Sequence, residues 1–278
     1  MLEVKKYSGK SLSRFRTRNT ADFYADITSA DDAIEAFEFA QAHNLKPFVL
    51  GAGSNVFFKN AKIKSFVMKN AVEKKIEYLG DDIFEVSSSV MMLDLLKNLY
   101  KESRDSTYYL ASAPCEVGGA IAMNAGTGPK EAKAIFDFIV SVKFVRNGQV
   151  YELSADEIEH SHRHTELSTN AFILSAKFRF PHTTFEADPI KARLDWAVKN
   201  QDLSVPNCGS LCNKYNAKIM KFTRAIFRPF PAGMSQKKLN WAYNKADNPI
   251  YLRAFFATLK VLHKLFAQKL KFEIKMID

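Results

Sequence analysis

The sequence predicts a chain that combines α/β and α+β folding, and three stretches predict it. Pro47-Phe48-Val49-Leu50 reads as a short buried strand and runs straight into Gly51-Ala52-Gly53-Ser54-Asn55, the strand-then-glycine-turn order of an α/β unit. Residues 138–145 and 150–153 alternate apolar and polar side chains around Asn147-Gly148, the pattern of a β-hairpin with a type I′ turn. Residues 251–267 place Leu252, Phe255, Leu259, Leu262 and Phe266 on one face of an amphipathic helix. At 278 residues the chain has room for two domains, or three small ones.

The other elements follow in order. Residues 11–28 mix strand-like apolar positions with Arg14, Arg16 and Arg18. Ser29 is a candidate N-cap, with Asp31 and Asp32 favourably placed in the first turn of a helix that reaches about His43. Residues 66–68 and 84–86 read as strands, and Leu93, Leu96 and Leu99 mark a helix over 91–100. Another alternating strand covers 172–180, and residues 187–201 read as helical. Residues 204–209 read as a loop, and the chain ends in a strand over 270–277. Pro181 and Pro189 bracket the expected domain boundary at 182–188.

Hydrophobic residues make up 47% of the chain and charged residues 25%, enough apolar surface for a packed core and too little charge for a disordered chain. No stretch is long enough to span a membrane, no secretory leader is visible, and the cysteines number three. The expectation is a cytoplasmic protein with no membrane partner. The net charge of +10 is uneven, because residues 211–278 hold 14 of the 40 Lys and Arg but only Asp247, Glu273 and Asp278 of the 30 acids. Such a region attracts polyanions, whether nucleic acid, anionic lipid or nucleotide diphosphate.

A second glycine segment, Ala111 to Gly126 (ASAPCEVGGAIAMNAG), places Gly118-Gly119 and Asn124-Ala125-Gly126 in one run of small residues, as close approach of backbone to an anion requires. LGAGSNVFF followed by PCEVGGAIAMNAG resembles the flavin-binding segments of the UDP-N-acetylenolpyruvoylglucosamine reductase family, in its shorter subtype. The resemblance implies an FAD-binding domain of the vanillyl-alcohol-oxidase (PCMH) type over 1–182, built of two small α/β subdomains at about 1–67 and 68–182. An α+β substrate-binding domain would follow over 183–278. It implies FAD contacts from Leu50, Gly51, Ala52, Gly53, Ser54, Asn55 and Val56, and from Pro114, Val117, Gly118, Gly119, Ala120, Asn124, Ala125 and Gly126. NADPH would be the reductant, a UDP-sugar enolpyruvyl ether the substrate and a monomer the working form.

Three segments match the family's catalytic positions. In His162-Arg163-His164-Thr165, Arg163 matches the family arginine, while His162 and Thr165 stand for its tyrosine and serine. Asn207-Cys208-Gly209-Ser210 resembles the Gly-Ser turn whose serine delivers a proton, and Leu270–Lys275 resembles the terminal segment whose glutamate falls on Glu273. Reducing an enolpyruvyl ether needs a cation beside the carboxylate that gathers charge and a hydroxyl to protonate the carbanion, which suits Arg163, Glu273 and Ser210. No side chain donates hydride, so a flavin is required. Lys214, Asn240 and Asn244 are the expected substrate contacts.

The chain departs from the family at Ser87-Ser88-Ser89, at Arg16–Asn19 and above all at Ser112-Ala113-Pro114-Cys115-Glu116. There a carboxylate stands where a hydroxyl meets the flavin phosphate, and it would repel a diphosphate unless it turns away or pairs with a cation. A flavin-binding homologue with another substrate, or with little turnover, is the alternative. Nucleic-acid binding by the basic C-terminal region is the rival from another class, although no recognition module is present. His160, His162 and His164 would share one face of an extended segment, but with Cys208 and Cys212 they fit no zinc spacing, and no metal is expected.

Overall fold

The computed structural model describes residues 1–126 and 133–278 and divides into two compact units. The first comprises Met1–Lys5, Phe23–Ala52 and Phe66–Trp196, and the second Lys6–Asp22, Gly53–Ser65 and Ala197–Asp278. The units interleave along the chain rather than meeting once at 182–188, because the segments 6–22 and 53–65 pack with the C-terminal residues. The first glycine segment is itself divided, with Gly51 and Ala52 in the first unit and Gly53–Asn55 in the second.

In the first unit, parallel strands lie beside one another, with Tyr24–Ile27 paired to 67–70 and Pro47–Leu50 paired to 66–69. The helix Ala30–Ala42 connects the first of these to the third. Ser29 caps it by accepting from the Asp32 amide, and Ala33, Ala36 and Ala40 face the core. The second layer is an antiparallel sheet in the order Gln149–Ser154, Ile139–Arg146, Phe172–Arg179, Ile83–Ser87, Ile76–Gly80. Its hairpin turns at Asn147 (φ 51°) and Gly148 (φ 72°), as the sequence predicts. The helix Met92–Lys101 covers this sheet's core through Met92, Leu95, Leu96 and Leu99.

The second unit is built on Phe15, Phe57, Leu211, Met220, Phe227, Leu252, Phe255, Phe256, Leu259 and Ile274. The strand Val56–Phe58 pairs in parallel with Lys275–Ile277, and Cys212–Lys214 pairs with Lys271–Phe272. The helices Ala217–Ile226 and Ile250–Leu265 pack on the same core, with Phe227 edge-on to Phe255 at 5.3 Å.

Two expectations need correction, and one helix had no expectation at all. Residues 117–126 are not wholly loop, since Val117–Ala122 is a short helix, in which Gly118 packs closely on Ser88 while Gly119 has open space beside it. The terminal strand is broken at Glu273-Ile274, whose amides both turn to the Leu211 carbonyl instead of extending the ladder. The helix Ala217–Ile226 was not legible, because its buried Ile219, Met220 and Thr223 span little more than one turn between lysines.

Phe57 is fully buried, edge-on to Phe15 at 6.0 Å and 5.0 Å from Phe256. Phe57→Ala should lower the unfolding free energy by about 3–5 kcal/mol, through lost transfer and the cavity left behind. Urea denaturation measures this, and a loss below about 1 kcal/mol would show that the ring is not central to the core.

Candidate functional site

Within the first unit, the second glycine segment and the Arg163 segment are held together. His160–Ser161 and His164–Thr165 form a two-stranded hairpin with His162 and Arg163 at its turn, so the three histidines do not share one extended face. Arg163 takes a left-handed φ of 58°. Three hydrogen bonds dock this hairpin on the end of Val117–Ala122. The Thr165 hydroxyl donates to the Ala122 carbonyl (3.1 Å), Asn124 Nδ2 to the Ser161 carbonyl (3.0 Å), and Arg163 Nη2 to the Gly126 carbonyl (2.8 Å). The guanidinium is thereby aimed along the glycine segment. His160 is occupied elsewhere, stacked on Phe136 at 4.2 Å. Among the described residues no three His, Cys, Asp or Glu side chains converge as a metal site.

Glu116, the least expected residue of the segment, is 7% exposed. Its Oε1 lies 2.9 Å from the Lys69 ammonium, and its Oε2 accepts from Asn70 Nδ2 at 3.1 Å. Both partners come from the end of the strand Phe66–Asn70. A Cβ placed on Gly51 would stand 3.0 Å from Glu116 Oε2, so the first glycine lets the strand end lie against this carboxylate. The charge is thus paired and hydrogen-bonded rather than exposed to a ligand. No local pattern marks Lys69 and Asn70 as partners, because the Lys69 pairing joins a strand end to a helix N-cap 47 residues away.

Gly118 serves close packing. Its amide donates to the Ser88 carbonyl at 2.8 Å, and a Cβ there would meet Ser88 Cβ at 2.8 Å. Gly119 differs, for nothing lies within 4 Å of where its Cβ would be. Val117 and Ala120 face the core and Pro114 is exposed. Asn124 Oδ1 and the Tyr109 hydroxyl are buried with no hydrogen-bond partner among the described residues. Open space over Gly119, orphaned polar atoms on Tyr109 and Asn124 and a neutralised carboxylate are what a large polar ligand with an anionic bridge needs. FAD fits these residues.

In the second unit, Gly53–Val56 approach the N-terminal segment so closely that a Cβ on Gly53 (φ 65°) would fall 2.3 Å from the Leu12 carbonyl oxygen. Asn55 Nδ2 donates to the Glu273 carbonyl (3.2 Å), and the Asn55 carbonyl accepts from the Lys275 amide (3.0 Å). Asn207 Oδ1 accepts from the Gly209 amide (3.0 Å), and Gly209 turns at φ 72°, presenting Ser210 opposite Trp241. Leu211 then links both sides, its amide donating to Asn240 O and its carbonyl accepting from the Glu273 amide. Ser210, Glu273 and Asn55 are therefore brought together on one backbone network. Arg163 belongs to the other unit.

Asn240 and Asn244 act as clamps. Asn240 accepts from the Cys212 amide (2.9 Å) and donates to its carbonyl (2.8 Å), and Asn244 donates to the Phe15 carbonyl (2.8 Å). Lys214 is exposed on its strand. Burial holds the Lys275 ammonium below the usual lysine range, a feature that its place in an apolar strand ending hides from the sequence. Burial also raises two thiols, Cys208 to about 11 and Cys212 to about 12, the latter with help from the Glu273 carboxylate.

Residues 21–154 match the model of the FAD-binding domain family. The UDP-N-acetylenolpyruvoylglucosamine reductase of Aquifex aeolicus is 27% identical over 252 residues, covering 88% of this chain and 84% of that one. The enzyme of the same name from Chlamydia felis is 27% identical over 200 residues, covering 72% and 67%. The crystal structure of the Thermus caldophilus reductase superposes over all of both chains with a TM-score of 0.78 at 17% identity. The chain is an FAD-dependent oxidoreductase, with the α/β and α+β architecture that the sequence predicts. Within that class the curated proteins it is similar to are UDP-N-acetylenolpyruvoylglucosamine reductases.

Two outcomes check this geometry. Lys69→Met would leave the Glu116 carboxylate buried beside Asn70 alone and should cost about 3 kcal/mol, the low end for a broken buried pair because Lys69 keeps 26% exposure. The double variant Lys69→Met/Glu116→Gln should recover most of that loss in thermal melts. The raised thiols of Cys208 and Cys212 give a pH dependence. Above about pH 8.5 the unfolded thiols ionise while the folded ones stay protonated, so stability should fall as pH rises toward the folded values. A Cys208→Ala/Cys212→Ala variant should show a flatter fall between pH 9 and 11 in urea titrations.

Proposed function

We propose that the protein reduces the enolpyruvyl ether of UDP-N-acetylglucosamine to UDP-N-acetylmuramate, a step toward peptidoglycan, with NADPH as the reductant. In this reading the two glycine segments hold the flavin and the C-terminal residues of the second unit the nucleotide sugar, in a monomeric protein of the cytoplasm. The observation that carries it is the docking of Arg163 onto the glycine segment that fits FAD, through the three hydrogen bonds from Arg163, Asn124 and Thr165.

FAD, when bound, supplies the hydride that no side chain offers. The backbone of 51–56 and of Gly119, which has open space beside it, would hold it, since most other amides of 117–126 are given to carbonyls of the protein, and the Lys69–Glu116 pair would keep the local charge near neutral. Arg163 would face the substrate carboxylate and stabilise the negative charge that grows there as the double bond is reduced. Ser210, presented by the Gly209 turn, would protonate the adjoining carbon from its hydroxyl. Glu273, fixed through its backbone to Leu211 and Asn55, would hydrogen-bond the enolic carboxyl group and hold the intermediate in register. Lys214 would meet the UDP diphosphate. Asn240 and Asn244 would act through the strands they clamp, since their amides are taken up by backbone.

The purified protein should be yellow, or become so on addition of FAD. Ser210→Ala should leave reduction of the flavin by NADPH nearly unchanged in stopped-flow absorbance and slow its reoxidation by the enolpyruvyl substrate by at least about a hundredfold. Survival of both half-reactions would remove Ser210 from the mechanism, and a colourless protein that takes up no flavin would remove the reading as a whole.

A further inference from the structure

The helix Ile250–Leu265 is apolar on two sides. One side, Leu252, Phe255, Phe256 and Leu259, is buried in the core of the second unit. On the opposite side Ile250, Ala254, Ala257, Val261 and Leu265 recur at helical spacing, and all are exposed, Val261 by 62% and Leu265 by 72%. Arg253, Lys260 and Lys264 form a parallel row on the flank, one turn or two apart, and the helix contains no acidic residue. At its end Phe266 is 59% exposed.

The neighbouring helix Ala217–Ile226 repeats the composition. It carries Lys218, Lys221 and Arg224 and no acid, and exposes Phe222 by 57% and Ile226 by 40%. The two helices are tied end to end, because the Asn216 amide donates to His263 Nε2 (3.0 Å) and Asn216 Nδ2 to Gln268 Oε1 (2.9 Å). Between Asp202 and Glu273 the sequence holds a single acidic residue, Asp247.

We propose that this pair of helices docks on an anionic lipid surface, with the Val261–Leu265 row entering the headgroup boundary and the lysine and arginine rows meeting the lipid charges. An exposed aliphatic row flanked by cations is the pattern of a helix that lies in a membrane interface. Lysine and arginine stems add apolar cover while their charged ends reach the headgroups. The charge disfavours a second copy of the chain, because two surfaces of the same sign repel. The row itself is aliphatic, and the exposed rings near it, Phe222 and Phe266, stand on different helices rather than in the succession that stacked nucleic-acid bases use. Among the described residues no helix is long and apolar enough to cross a membrane, so the contact is one of lying on the surface. This assignment is independent of the flavin chemistry, since none of these side chains belongs to the candidate site.

The test is co-sedimentation of the full chain with phosphatidylcholine vesicles, with and without phosphatidylglycerol, at low and high salt. The expected result is binding to the phosphatidylglycerol vesicles only, weakened by salt and weakened about tenfold by Val261→Ser/Leu265→Ser. That double variant should keep the wild-type circular dichroism and melting temperature, since both side chains face outward. In a Leu265→Trp variant the indole emission should shift to the blue on addition of the same vesicles. No binding to anionic vesicles, or binding indifferent to the double substitution, overturns the proposal. So does self-association that the double variant abolishes, or retention on DNA that it abolishes while vesicles bind no better than to neutral lipid.

Discussion

A buried carboxylate that must find a cation is the constraint on which the candidate flavin cradle depends. Glu116 sits at the start of the helix Val117–Ala122 and against Gly51, where a diphosphate would otherwise meet a bare negative charge. An unpaired buried carboxylate costs several kcal/mol, more than most single contacts contribute. The strand Phe66–Asn70 meets that demand with two successive side chains, one cation and one amide: Lys69 takes Oε1 and Asn70 takes Oε2. Ser88 adds a hydrogen bond to Asn70 Oδ1, so the amide's orientation is fixed as well. The departure from the family pattern at Glu116 thus comes with its own compensation in the strand beside it.

The same economy of backbone contact runs through the second unit. Leu211 offers its amide to Asn240 and its carbonyl to Glu273 and Ile274, so the turn that presents Ser210 is braced from both sides. Breaking the final strand at Glu273 follows from this, because two amides that serve Leu211 cannot also extend a ladder. The irregularities in this region are therefore the means by which the candidate proton donor and the candidate carboxylate are fixed to one frame.

Much of the architecture was legible from pattern. The Ser29 cap, the strand at Pro47–Leu50, the Asn147-Gly148 hairpin and the long C-terminal helix are set by interactions between residues close in sequence, and the structure has them within a residue or two. The two glycine segments together, through their residues and their order, carried the flavin reading by resemblance to a known family. What pattern did not carry was the short helix inside the second glycine segment, whose two glycines are poor helix formers and whose Gly118 is instead packed against Ser88. It also missed the hairpin turn at His162-Arg163, which closes only because Thr165 and Arg163 find carbonyls on another element.

By itself, then, the sequence determined the local elements and the order of the chemistry-bearing segments, because caps, turns and periodicities are settled within a few residues. Tertiary structure alone decided which charges are neutralised and which segments brace one another. Lys69 reaches Glu116, and Asn55 reaches Glu273, across 47 and 218 residues. Such pairings depend on desolvation and on directed hydrogen bonds at a few ångströms, quantities that exist only once distant strands have been packed side by side.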